Sequence, residues 1–113
     1  MKRFALLLLV GGLCACGSAE TGGDAEACEE SQAVVTQIRE YREFDTLTAQ
    51  QANDATQWEF RLAEASVLAT DHGLATLIRD QADAAGNVAD DLDDEEVFQV
   101  LESISSEIDS RCQ

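Results

Sequence analysis

The chain contains no proline, and from Ala25 onward its apolar side chains return every three or four positions. That spacing lays them along one stripe of an α-helix, which limits the fold more than any other feature of the sequence. Val34, Val35, Ile38 and Tyr41 define a first helix over about Ala25 to Asp45, with Cys28 at the edge of its stripe. Glu26, Glu29 and Glu30 fall in its opening turns, where a helix dipole favours negative charge. Thr48-Ala49-Gln50-Gln51 has the form of a capping box, so a second helix is expected from Ala49. It continues through Ala55, Trp58, Leu62, Ala65 and Ala69 to His72, with Gly73 as the residue that ends it. Leu74, Ile78, Ala82, Ala85, Ala89 and Leu92 share the face of a third helix, flanked by Leu77 and Val88. Asp93 or Asp94 caps a fourth, along which Val97, Leu101, Ile104, Ile108 and Cys112 trace a narrow stripe beside Phe98. No glycine or proline enforces the break near residues 44–47, so one long helix over 25–72 followed by a helical hairpin is the alternative.

Charge narrows the range of functions. The 113 residues carry a formal −16. Past residue 15 the balance is five arginines and no lysine against all 23 acidic side chains, a formal −18. A surface of that sign repels phosphate backbones, so nucleic acid is excluded as a partner. It attracts cations and basic proteins and keeps a small domain soluble.

The first residues read as an export signal. Met1-Lys2-Arg3 is a short basic stretch, and Phe4 to Leu13 is an apolar run about ten residues long. A bilayer-spanning helix needs ~20 apolar residues, so this run is too short to remain as a span. Leu13-Cys14-Ala15-Cys16 then resembles the lipobox of bacterial lipoproteins, in which an aliphatic residue and small residues precede a cysteine. The resemblance covers Met1 to Gly17 and implies that residues 1–15 are removed, that Cys16 becomes the lipidated first residue, and that the protein sits in the cell envelope. Whether it faces the inner or the outer membrane is left open. Residues 17–24 contain three glycines and no large apolar residue, and are expected to form a flexible tether with a reach of ~25 Å.

With Cys14 removed and Cys16 acylated, Cys28 and Cys112 remain, in a compartment that permits disulfides, and they are expected to pair. The pair selects between the architectures. Four alternating helices with short connections bring the end of the last helix back to the start of the first. A straight helix over 25–72 would span ~70 Å and leave the two cysteines far apart. The expected fold is therefore an all-α, up-down-up-down four-helix bundle over residues 25–113, closed by a Cys28–Cys112 disulfide.

Candidate sites are few. Asp90, Asp91, Asp93, Asp94, Glu95 and Glu96 form a conspicuous acidic run, but calcium loops alternate their ligands around a turn glycine, which this run lacks. It reads as a solvated helix corner, with these six carboxylates as weak cation candidates and no cofactor expected. His72, the sole histidine, has no metal-ligand spacing around it and is expected to cap the end of the second helix. No phosphate-binding loop and no nucleophile–base pair is present, so no catalysis is expected. Phe60 and Val67, seven residues apart, share a face pointing away from Trp58, Leu62 and Ala65. They form a candidate docking seam for an envelope protein, with acidic flanks suited to a basic one. The expected function is a lipid-anchored, non-catalytic interaction module; a divalent-cation-binding envelope protein and a passive spacer are the alternatives.

Overall fold

A computed structural model describes residues 15–113, with side chains from Gly23 onward, and the readings made for residues 1–14 lie outside the described residues. The backbone is all-helical: α1 (Ala15–Tyr41), α2 (Ala49–Ala55), α3 (Trp58–Leu68), α4 (His72–Asp90) and α5 (Glu95–Cys112). Helices α2 and α3 are one rod broken at Thr56 and Gln57, so four rods alternate in direction. The principal packing runs α1 to α3, α3 to α4, α4 to α5 and α5 back to α1. This is the up-down-up-down bundle, and Cys28 and Cys112 are joined across its first and last rods with their Cα atoms 6.0 Å apart. The long helix over 25–72 does not form, because α1 ends at Tyr41.

Each rod buries the stripe its sequence marks. Ala27, Val34 and Ile38 of α1 meet Trp58 and Leu62 of α3, Ile78, Ala85 and Val88 of α4, and Leu101 and Ile108 of α5 in one cluster. Trp58 is fully buried, and its indole N–H donates to Gln37 Oε1 at 2.7 Å, so the largest core side chain leaves no polar atom unpaired. Tyr41 packs against Trp58 and donates its hydroxyl to Asp54 at 2.8 Å. At the same end Arg42 lies 3.9 Å over the Phe98 ring, donates to the Leu92 carbonyl at 2.9 Å and pairs with Glu95. Helix α1 is thus fastened to the α4–α5 turn.

The boundaries differ from expectation in four places. The capping box at Thr48 and Gln51 forms as expected, with both reciprocal hydrogen bonds present. The rod it starts is interrupted, however: the Thr56 hydroxyl bonds to the Asn53 carbonyl, and Gln57 N–H reaches back only three residues, to Asp54. Asn53, Asp54 and Thr56 are residue types whose side chains compete with helical backbone bonding. Helix α1 stops at Tyr41, short of Asp45, as its last turn tightens into three-residue bonds from Glu43 and Phe44.

His72 is the first residue of α4 and not the end of the preceding helix. Asp71 caps α4 by accepting from Gly73 N–H at 2.9 Å. No described glycine has a positive φ, so Gly73 does not act as the helix-ending residue. Its bare Cα instead lets the Arg111 guanidinium approach, and a Cβ there would lie 2.6 Å from Arg111 Nη1.

The expected tether over 17–24 is helical, continuous with α1. Glycine disfavours a helix by about 1 kcal/mol relative to alanine, and that intrinsic cost suggested a linker. Tertiary contacts at its end outweigh the cost. Gly23 packs so closely on the end of α3 that a Cβ would sit 2.6 Å from the Leu68 carbonyl oxygen. Asp24 accepts hydrogen bonds from the backbone N–H groups of Thr70 and Asp71 and from the Thr70 hydroxyl, stitching α1 to the α3–α4 turn.

Those bonds, the Thr70 N–H foremost, hold the Asp24 carboxyl below its usual pKa. A depressed carboxylate pKa contributes stability above the unfolded-state value, and that contribution disappears as the pH falls through the folded-state value. Asp24→Ala should therefore melt below the wild type at neutral pH. The gap should close as the pH drops below the ordinary carboxylate range, a trend that melting curves recorded from pH 7 down to pH 3 would register.

Candidate functional site

Phe60 and Val67 lie on the outer face of α3, two turns apart, 59% and 77% exposed, with Leu68 at 45% beside them. They point outward because Trp58, Leu62 and Ala65 occupy the inner face of the same helix. Alongside runs a groove of about 420 Å³ between α1 and α3, lined by Glu26, Glu29, Glu30, Arg61, Glu64 and Leu68. Arg61 is its one cation and is paired with Glu30 at 2.6 Å. The groove thus keeps an acidic rim next to an apolar ridge. Leu68, Arg61 and the groove were not singled out from the sequence, since they depend on how α1 and α3 are juxtaposed.

The acidic run does not converge. Asp91 caps the end of α4 and accepts from Asp93 N–H, while Asp94 caps α5 by accepting from Glu96 and Val97 N–H. Glu95 is drawn to Gln99 and Arg42, which hold its carboxyl below the usual pKa. Asp90, Asp91, Asp93 and Glu96 face solvent. Among the described residues no three His, Cys, Asp or Glu side chains are placed to hold a metal ion. His72 is exposed at the start of α4, beside its capping Asp71.

A polar chain crosses the core. Ser31 of α1 donates to Gln81 Oε1 at 2.8 Å, Gln81 Nε2 donates to Ser105 Oγ of α5 at 2.9 Å, and Ser105 donates onward to the Leu101 carbonyl at 2.7 Å. Gln81 is fully buried. Its sequence signal was readable: Ser31, Gln81 and Ser105 each occupy a position in the apolar repeat of their helix, between Ala27 and Val34, Ile78 and Ala85, and Leu101 and Ile108. The two serines are small, and above them α1 and α5 part into a cleft of about 240 Å³ reached by Thr36, Arg39 and Asp109. Arg39 bridges it with two 2.7 Å hydrogen bonds to Glu102, which depress the Glu102 carboxyl pKa. The pairing of donor and acceptor along this chain is that of a helix-registering device.

Compared with protein-family models, curated proteins and solved structures, the chain matches none.

The buried chain makes a paired prediction. Gln81→Leu alone takes away the acceptor of the Ser31 hydroxyl and the donor to Ser105 Oγ, which keeps its own bond to the Leu101 carbonyl, and should cost about 1–3 kcal/mol of stability. Replacing all three members by apolar residues, in S31A/Q81L/S105A, should recover most of that loss, as chemical denaturation of the three proteins would reveal.

Proposed function

We propose that this chain is a lipid-anchored cell-envelope protein that acts by binding another protein, without catalytic chemistry of its own. The observation that carries the reading is the apolar ridge of α3, centred on Phe60 with Val67 at its edge, lying beside the acid-rimmed groove. A small domain gains nothing in stability from a phenylalanine held outward, whereas such a residue supplies the apolar centre of a docking site. Four groove carboxylates against one already paired arginine favour a basic segment of the partner, with Lys or Arg over Glu26, Glu29 and Glu64 and an apolar side chain against Phe60.

The lipobox-like Leu13-Cys16 stretch supports the envelope location, as does the Cys28–Cys112 disulfide, which suits an oxidising compartment. Among the described residues no helix is long and apolar enough to cross a membrane, so attachment through an acylated Cys16 would serve in its place. Several acyl chains on one cysteine meet the need of stable anchoring for more than one chain.

Phe60→Asp in the full-length protein should abolish crosslinking to a basic partner in native membranes. Because Phe60 is exposed, the same change should alter folding stability by no more than about 0.5 kcal/mol. Undiminished crosslinking by the variant would remove this face from consideration.

A further inference from the structure

The bundle has two unlike ends, and the proposed anchor belongs to one of them. Gly23 and Cys28 of α1, Leu68 of α3, Asp71 before α4 and Cys112 of α5 gather at the first end. The acidic turn between Asp90 and Glu95 lies at the other, a full α4 away, and 19 helical residues span ~28 Å. Val67, the most exposed large apolar side chain on the described surface, and the exposed Leu68 beside it therefore sit at the end from which the chain leads back to Cys16.

The distance fits a lipid surface. Helix α1 is continuous from Ala15, so the seven residues from Cys16 to Gly23 rise ~10 Å, against the ~25 Å reach of an extended tether. The headgroup layer of one leaflet is ~5–7 Å deep. Gly23 is at the level of the Leu68 carbonyl, which puts the Val67–Leu68 corner within a few ångströms of that layer once Cys16 is held in it. A slight lean of the domain toward α3 brings both side chains into it. A corner tethered this closely meets the surface at high effective concentration, so a contact too weak to bind alone suffices to set orientation.

We propose, resting on the lipid-anchor reading above, that Val67 and Leu68 form a second membrane contact that leans the domain on its α3 side and fixes its orientation. This assigns Val67 to the lipid, leaves Phe60, two helical turns further out, to the partner, and turns the acidic Asp90–Glu96 corner away from the bilayer. The acidic charge of the domain makes a zwitterionic lipid the suitable surface.

The test uses lipidated full-length protein, made in its host, with Val67→Trp or Val100→Trp, reconstituted into phosphatidylcholine vesicles brominated on the acyl chains. Val100 is the control, being exposed early in α5 near the acidic end. The V67W protein should lose most of its added emission to bromine quenching and shift to the blue, while V100W keeps its own. Equal emission from both would overturn the proposal. So would a photocrosslinker at position 67 that captures protein and not lipid. The mass of the amino-terminal peptide distinguishes the two levels of failure: no acyl groups on Cys16 defeats the anchor and this contact with it, whereas an acylated Cys16 with an unquenched V67W defeats the contact alone.

Discussion

The bond between Cys28 and Cys112 is the constraint on which the arrangement rests. Alanine fills much of the core, with Ala27, Ala55, Ala65, Ala82, Ala84 and Ala85 all buried, and alanine removes little apolar area from water. A domain of this size with so many small side chains inside has a thin hydrophobic margin. A bridge between residues 84 apart removes about 4–5 kcal/mol of unfolded-state freedom on the chain-entropy account, comparable to the whole net stability of many small domains. It also acts where packing is weakest, because α1 and α5 part into the Ser31–Ser105 cleft along the same seam. The disulfide closes one end of that seam, Arg39–Glu102 crosses its middle, and Arg42 secures the other end through Leu92, Glu95 and Phe98.

Alanine has a second consequence. Small side chains let the rods approach closely, so register must come from something other than large interlocking groups. The Ser31–Gln81–Ser105 chain answers that need, since its hydrogen bonds are satisfied at only one relative height of α1, α4 and α5. Sliding any helix by a turn would bury an unpaired amide. Arg61–Glu30 and Arg111–Asp71 add ties at the surface, where ion pairs contribute less than about 1 kcal/mol each and mainly reinforce a geometry already chosen.

Much of this was legible in the residues. The apolar repeat gave four rods, the capping box at Thr48 marked where the second begins, and the two cysteines made a returning bundle preferable to a long helix. What escaped were effects that depend on partners distant in sequence. Gly23 and Asp24 look like linker residues until Leu68 and Thr70 stand against them, and Gly73 looks like a helix-ending residue until Arg111 lies against it. Of the candidate surface, Phe60 and Val67 were visible from their spacing. The groove beside them and the nearness of Val67 to the leading chain required the packed fold. The polar chain was legible in principle, as hydrophilic residues falling on apolar stripes.

Closure of the first rod onto the last is the central claim, and its most direct measurement is thiol alkylation of the purified protein, denatured without reductant and mapped by peptide mass spectrometry. The account predicts that Cys28 and Cys112 escape alkylation and emerge in one cross-linked peptide pair, separated only after reduction. Alkylated thiols at both positions would contradict it.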